Sequence, residues 1–392
     1  MKVICDRGAL LDAVNLVSGA VAARSPRLQL SCIKLVAVKG KDGARLIVTG
    51  TDAEISLRIT CAQVDVQQPG EALIPAPELR MIVQAEDGDP TLTLETEGEQ
   101  VNIRGRDAHF KVFGYPPSDF PPVPDFEDIV AGTGGAPKAK AVFTSQASQL
   151  SGIVARTVFA TARENSRYAI NGVLLKRDGK KIEMVATDGR RMALCRGTAS
   201  GGDKEGKAIS AIVPTKALLM LQKLVSDPEE TIHIAITDSQ IVFGFGSAES
   251  PDRALLSSNL VEGTFPPYED VIPKDQDKKV TFDRDLLASG VRRAALLTNE
   301  ESRGVRMKFN AAEKGLELTS RAAEKGEAKI NVDLQAYEGE DVEIGFNPAF
   351  ITDVLKVLND PQVVLELKAP NKPGVMKSGN DFLYVVMPVN LT

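Results

Sequence analysis

Residues 186–193 read "ATDGRRMA", directly after the apolar run "IEMV". An aspartate and a glycine beside two arginines could hold a metal, cradle a phosphate, serve as a base or seat a partner. Base chemistry needs a matched partner and a tuned pKa, and Asp188 has no carboxylate or histidine close in sequence. The plainer reading is that Asp188 accepts backbone N–H bonds within its own turn, with Gly189 supplying a permissive backbone. The other chemistry-bearing residues are sparse. The histidines are His109 and His233, and His233 lies in the alternating strand pattern "TIHIAI". Cys5, Cys32, Cys61 and Cys195 form no C-x-x-C pair and read as buried small side chains. This leaves little for a metal site or an activated nucleophile, so neither a metal nor a cofactor is expected. "GKDGAR" and "RDGKK" lack the G-x-x-x-x-G-K-[ST] frame and read as Asp-Gly hairpin turns.

The elements that must position these residues recur. Thr51-Asp52 in "GTDAEISL" and Thr187-Asp188 stand 136 residues apart, each closing a strand-like run. A third run, "LELTSR", ends at Ser320-Arg321, a further 133 residues on. Upstream of each lies an amphipathic helix pattern: "RGALLDAVNLVSGAV", "QASQLSGIVARTVF" and "DRDLLASGVRRAALL". In the second, Leu150, Ile153, Val154, Thr157 and Val158 give the i, i+3, i+4, i+7, i+8 stripe. Downstream, "LIPAPELRMIV", "IVPTKALLMLQKLV" and "IGFNPAFITDVLKVL" each pass from a strand through a turn into a second helix. The chain thus reads as three copies of one α+β unit, each made of two β-α-β-β-β halves with antiparallel, alternating strands. The expected domains are 1–130, 141–273 and 279–392, separated by turn-rich linkers at 127–141 and 273–280.

The chain has 392 residues and a net charge of −6, with no apolar run of the ~18 residues a membrane span needs. The N-terminus lacks a signal-peptide layout, so a cytoplasmic, nucleoid-associated location without membrane contact is expected. The basic residues are unevenly placed. Arg80, Arg156, Arg163, Arg167, Lys216, Lys223, Arg284, Arg292, Arg293 and Lys356 all fall in or beside the helical segments. Their recurrence in all three copies reads as an electrostatic footprint for phosphates. No helix-turn-helix, zinc-finger or basic-zipper pattern accompanies it, so contact without base readout is expected.

The order of "GTD", "RYAINGVLL", "VATDGRRMALC", "IVPTKALL", "FPPYEDVIP", "NEESRGVRM", "IGFNPAFITDVL" and "YVVMP" resembles the bacterial sliding clamps, the β subunits of DNA polymerase III, from Val3 to Leu391. The resemblance implies a non-catalytic processivity factor: a head-to-tail dimeric ring round double-stranded DNA, helices inside and sheets outside. A DNA-binding scaffold or repair-associated protein with the same repeat is the alternative. Size agrees with two chains: compact domains of about 18 Å radius leave a hole of roughly 3 Å radius in a ring of three, but roughly 18 Å in a ring of six. Arg24, Arg167 and Tyr168 match family positions near the duplex, joining Arg80, Arg156, Arg163 and Lys216. By the same resemblance Phe110 faces Leu296 and Leu297 of a second chain across the dimer interface. A partner-peptide groove would comprise Ile170, Thr187, Gly189, Arg190, Arg191, Met192, Pro266, Val271, Asn347, Phe350, Val385 and Met387. It would serve the replicative polymerase, the clamp loader and other proteins carrying the clamp-binding motif. Arg191 is expected to orient the peptide's polar groups. Arg190 stands where the family often has His, and Asn390 where it often has Arg.

Overall fold

A computed structural model describes residues 1–40, 43–162, 169–201, 208–298 and 304–390. The first third opens with β1 (Lys2–Asp6), α1 (Arg7–Val17), β2 (Cys32–Gly40), β3 (Gly43–Thr51), β4 (Ile55–Cys61) and a short β5 (Val64–Gln68). It then repeats the order as β6 (Gly70–Pro75), α2 (Ala76–Ala85), β7 (Thr91–Glu97), β8 (Gln100–Arg104) and β9 (His109–Phe113). A helix outside the pattern, α3 (Phe126–Ala131), precedes the second third. That third comprises β10 (Ala141–Gln146), α4 (Ala147–Ala155), β11 (Gly172–Asp178), β12 (Lys181–Thr187) and β13 (Arg191–Thr198). Its second half is β14 (Ile209–Pro214), α5 (Thr215–Leu224), β15 (Thr231–Ile236), β16 (Gln240–Gly246) and β17 (Ala254–Asn259). The last third has β18 (Lys278–Asp283), α6 (Arg284–Ala295), β19 (Val305–Asn310), β20 (Gly315–Ala322), β21 (Gly326–Asp333) and a short β22 (Ala336–Glu338). It closes with β23 (Val342–Phe346), α7 (Pro348–Val357), β24 (Gln362–Leu367), β25 (Gly374–Ser378) and β26 (Phe382–Val386). The β-α-β-β-β order expected from the sequence recurs six times.

Local chemistry sets the strand-to-helix steps. Asp6 and Asp283 close their strands and cap α1 and α6, accepting N–H bonds from Ala9 and from Asp285 and Leu286. Asn347 does the same for α7, accepting from Ala349 with Pro348 at the first helical position. Each helix buries one stripe. On α1 it is Leu10, Ala13, Val14 and Val17. The stripe read for the second copy is fully inside, but α4 ends at Ala155, and Thr157 turns the chain by bonding its hydroxyl back to the Ile153 carbonyl at 2.9 Å.

The strands do not respect the repeats. The chain forms two compact units, one of Met1–Ser151, Ala199–Ile209 and Lys216–Leu260, the other of Gly152–Thr198, Ser210–Thr215 and Val261–Thr392. In the first unit, a five-stranded sheet runs β5-β1-β7-β8-β9, and an eight-stranded sheet runs β10-β15-β16-β17-β4-β3-β2-β6. There β17 pairs antiparallel with β4, from Ala254↔Ile59 to Ser258↔Ile55, so the second repeat is hydrogen-bonded to the first. In the second unit, a nine-stranded sheet runs β14-β11-β12-β13-β26-β25-β24-β18-β22, beside a four-stranded β21-β20-β19-β23. Its β13–β26 ladder, Arg191↔Val386 to Cys195↔Phe382, binds the third repeat to the second. The middle repeat is therefore divided between the units.

The expected first linker is a packed arm. Phe126, Ile129 and Ala136 are buried against Ala235, Val242 and Leu255 of the eight-stranded sheet. Gly132, at φ 73°, ends α3 in the left-handed region, and the N–H groups of Gly132 and Thr133 both return to the Asp128 carbonyl. The second expected linker runs directly into β18 at Lys278. His233 is structural, as read: its Nε2 lies 2.8 Å from the Ser247 carbonyl, with Phe126 edge-on to its ring. All four cysteines are buried free thiols; burial pushes Cys5 up to about 12 and the other three to about 11, so they stay protonated and unreactive.

Candidate functional site

The β12–β13 turn is closed by its own side chains. The Thr187 hydroxyl donates to the Arg191 carbonyl at 2.7 Å and accepts from the Gly189 N–H at 3.0 Å. Asp188 Oδ1 accepts the N–H groups of Arg190 and Arg191 at 2.9 and 3.0 Å. The β3–β4 turn repeats this bond for bond. Thr51 donates to the Ile55 carbonyl at 2.9 Å and accepts from Ala53 at 3.0 Å, while Asp52 Oδ1 accepts from Glu54 and Ile55 at 2.9 and 2.8 Å. Gly189 sits at φ 85° and its counterpart Ala53 at φ 76°. The third copy has no such turn: β20 runs on through Ser320, whose buried hydroxyl donates to the Ala294 carbonyl at 2.6 Å.

The two aspartates find different cations. Asp52 takes the Lys216 ammonium at 2.6 Å, an ion pair whose lysine is 49% exposed. Burial alone would raise the Asp52 carboxyl; Lys216 and the N–H groups of Ile55 and Glu54 outweigh it and hold the carboxyl below the usual aspartate value. Asp188 instead takes Arg191, whose side chain is only 10% exposed. That guanidinium donates through Nε to Asp188 at 3.0 Å, through one terminal nitrogen to Asp353 at 2.9 Å, and through the other to the Phe159 carbonyl at 2.9 Å. It lies 4.6 Å from the Phe350 ring centroid and 5.5 Å from that of Phe159. Burial opposes its charge, but Asp353, Tyr384 and Asp188 raise it above the ordinary arginine value. Burial also raises the Tyr384 phenol, whose hydroxyl donates to the Phe350 carbonyl at 3.0 Å.

This arrangement departs from the expectation for Arg191: all three of its nitrogens already hold partners within the chain. Asp353, Phe159 and Tyr384, which hold it, were not singled out in the sequence. Helical spacing carried a signal for Asp353, three residues beyond Phe350 on one face of α7. Of the other expected groove residues, Met192 and Val385 are opposite one another in the β13–β26 ladder. Both are core, packed with Ala169, Leu174, Val185, Leu194, Ile212 and Tyr268. Ile170 and Thr187 are also buried. Gly189, Arg190, Val271 and Met387 are exposed, whereas Pro266, Asn347 and Phe350 are half-buried. The C-terminal strand is tied beside the turn, with the Met387 N–H donating to the Arg190 carbonyl at 2.9 Å.

Several of the expected phosphate-facing cations are engaged. Arg156 pairs with Asp381 at 2.8 Å, Arg284 with Asp285 at 2.9 Å and Lys356 with Asp353 at 3.2 Å. Arg80 donates to Asn15, and Arg293 to the Ser289 carbonyl. Arg24, Lys223 and Arg292 are exposed and have no ion-pair partner among the described residues. Arg163, Arg167 and Tyr168 lie outside the described residues. Phe110 is half-buried on β9, while Leu296 at the end of α6 is 74% exposed and Leu297 half-buried. No group of three or more potential metal-ligating side chains occurs among the described residues, and no described helix is long and apolar enough to cross a membrane.

Two expectations follow from this geometry. A Cβ on Gly189 meets nothing within 4 Å, so strain at this position is a matter of backbone alone. Ala53→Gly should then stabilise by about 0.5–1 kcal/mol, because the left-handed strain it relieves, about 1–2 kcal/mol, exceeds the unfolded-state entropy it adds. Gly189→Ala should cost a similar amount; denaturant midpoints that do not move in opposite directions would show that the turns carry no such strain. Arg191→Lys keeps the charge but loses the fork, and should destabilise by about 2–3 kcal/mol by leaving partly buried carboxylates short of donors. Unchanged denaturant unfolding would mean that the turn needs no arginine.

Comparison with known proteins agrees with the geometry along the whole chain. The patterns of the DNA polymerase III beta subunit N-terminal, central and C-terminal domains match residues 1–124, 145–267 and 269–390. The chain is 33% identical to the beta sliding clamp of Pseudomonas putida and 30% identical to that of Escherichia coli K12, with all of each chain covered. Among solved structures it is similar to a Pseudomonas aeruginosa sliding clamp bound to griselimycin (TM-score 0.88, 32% identity) and to the Bacillus subtilis DNA polymerase sliding clamp (TM-score 0.88, 25% identity), again with both chains fully covered. With three tandem clamp domains and relatives matching from end to end, the chain belongs to the DNA polymerase III beta subunit family, the bacterial beta sliding clamps.

Proposed function

We propose that this protein is a processivity factor: a ring that encircles duplex DNA without reading its sequence and tethers the replicative polymerase and other partners to it. The single observation that carries this reading is the sixfold β-α-β-β-β recurrence combined with the end-to-end family match. The protein's part is mechanical, not catalytic, and its place is on the DNA of the cytoplasm. Mobile holding needs phosphate contacts that set no register. Exposed Arg24, Lys223 and Arg292 suit that role better than Arg156, which is already neutralised by Asp381.

Ring closure takes two chains. The strand β9 ends the five-stranded sheet and β21 ends the four-stranded one. Such edges offer unpaired N–H and C=O groups, which head-to-tail pairing of β9 with a second chain's β21 would satisfy. Phe113 on β9 is 79% exposed and Leu296 is 74% exposed, apolar surface that such a junction would cover. Leu296→Ala with Leu297→Ala should yield folded monomers by sedimentation, since Leu296 supports little of the chain's own core. The same variant should be lost from nicked circular DNA as fast as the parent protein is lost from linear DNA. A dimer that persists at low concentration would remove these residues from the interface; equal parental retention on circles and linear fragments would end the ring reading.

Partner proteins dock, on this reading, at the rim formed by Gly189, Arg190, Val271 and Met387 with Pro266, Asn347 and Phe350. A short hydrophobic motif of Gln-x-x-Leu-Phe type fits its apolar side chains, and the adaptable Met387 suits several competing partners. Arg190 makes the rim basic and favours acidic flanks. An ATP-driven loader must open the ring, since the sequence has no phosphate-binding loop of its own. Deleting residues 388–392 should abolish calorimetric binding of such a peptide while the dimer and its melting persist. Equal affinity before and after the deletion would place the dock elsewhere.

A further inference from the structure

Residues 265–272, "FPPYEDVI", carry two members of the proposed docking rim, Pro266 and Val271. Among the described residues, no backbone hydrogen bond links this segment to a strand. The nearest ties flank it, from the Ala169 N–H to the Thr264 carbonyl at 3.3 Å and from the Asp277 N–H to the Leu367 carbonyl at 3.2 Å. Its regular structure is a single 3-10 turn, Tyr268–Val271, without a side-chain cap. Side chains must therefore set its place. Tyr268 belongs to the buried cluster of Met192, Leu194 and Val385, and Phe265 and Ile272 pack against it, whereas Val271 is 53% exposed. Apolar contact is non-directional, so it holds the segment down without fixing how the turn is aimed.

The Tyr268 hydroxyl supplies the direction. It meets a row of charges that crosses three strands: Lys176 on β11 stands opposite Glu183 on β12, and Glu183 opposite Arg196 on β13. The hydroxyl donates to Glu183 at 2.5 Å and accepts from Lys176 at 2.7 Å, with the ammonium 4.5 Å from the ring centroid. Lys176 also pairs with Glu269, the next residue of the segment, at 3.0 Å, and Arg196 holds the other Glu183 oxygen at 2.8 Å. Burial first, then Glu183 and Glu269, push the phenol above the ordinary tyrosine value, so it stays a donor. Hydrogen bonds with ionised partners are short and strong, and this hydroxyl makes two.

We propose that Tyr268 is a positioning residue for the docking rim: its hydroxyl, clamped between Glu183 and Lys176, fixes the 3-10 turn and with it Pro266 and Val271. The inference rests on the docking reading above. Tyr268 acts from beneath the rim, by keeping the turn in the arrangement that receives a peptide. A rim competent one-tenth of the time binds tenfold more weakly.

Tyr268→Phe keeps the ring and leaves both glutamates paired, Glu183 with Arg196 and Glu269 with Lys176. Calorimetry of the full-length protein with acetyl-Gln-Ala-Ala-Leu-Phe should show binding about tenfold weaker, which is about 1.4 kcal/mol. Amide hydrogen exchange should quicken within 265–272, while sedimentation and retention on circular DNA match the parent. Ser320→Ala is the control: it removes another buried hydroxyl of the same unit, bonded to the Ala294 carbonyl, and should leave peptide affinity alone. Glu183→Gln, which keeps an acceptor for the phenol, should weaken binding less than Glu183→Ala. Unchanged affinity in Tyr268→Phe, or an equal loss in Ser320→Ala, would overturn the proposal and leave the dock standing. A parent protein that does not bind the peptide would end both.

Discussion

The guanidinium of Arg191 is the interaction on which the candidate docking region depends. It joins three separately placed pieces of chain: the turn through Asp188, α7 through Asp353 and the Phe350 ring, and the segment before β11 through the Phe159 carbonyl. A lysine could match the charge but not the simultaneous geometry, because an ammonium has no planar fork. With those donors engaged, Arg191 shapes the surface from beneath and does not reach out of it. On the proposed docking reading, polar recognition at the rim would fall to Arg190 and to backbone groups near Gly189.

The repeats, helix pairs and Asp-closed turn were legible because each is written in short-range spacing. Leu10, Ala13, Val14 and Val17 announce their helix within eleven residues, and Thr-Asp announces a turn within five. Pairings between repeats were not legible. The partner of β4 is β17, nearly two hundred residues away in the chain, and nothing in "ISLRITC" specifies it beyond an alternating pattern that any antiparallel neighbour would satisfy. For the same reason the sequence shows three equal units while the contacts make two, with the middle repeat shared between them. The arm at Phe126–Ala131 was hidden differently. Its apolar Phe126, Ile129 and Val130 have helical spacing, but they precede a glycine-, proline- and alanine-rich run that reads as linker.

Charge was only half legible. A sequence lists cations; it does not list their partners. Arg80, Arg156, Lys216, Arg284 and Lys356 recur at helices as the footprint requires, yet each is hydrogen-bonded or ion-paired within the chain. An exposed pair such as Lys356–Asp353 is worth little to stability, and a phosphate could displace its carboxylate at small cost. Arg156 is less available, being half-buried, paired and 6.0 Å from the centroid of the Phe382 ring. If these cations face DNA as proposed, the footprint is graded: a few open cations with several that DNA would have to take from an aspartate.

The two Thr-Asp turns show how one local structure reaches two ends. Their backbones and internal hydrogen bonds coincide, so the turn itself cannot decide function. What differs is the cation that each aspartate holds. Asp52 looks to Lys216, half-exposed at the surface. Asp188 looks inward to Arg191, while Gly189 and Arg190 are exposed, as Ala53 and Glu54 are on the first turn. Glycine at 189 adds no side chain to that exposed edge, where the first turn carries the methyl of Ala53. The third copy, where β20 continues through Ser320, shows that the surrounding sheet tolerates losing the turn altogether. What the second copy retains is thus not required by the fold, and an exposed, rigid rim over an arginine-locked base is the property that a docking surface would select.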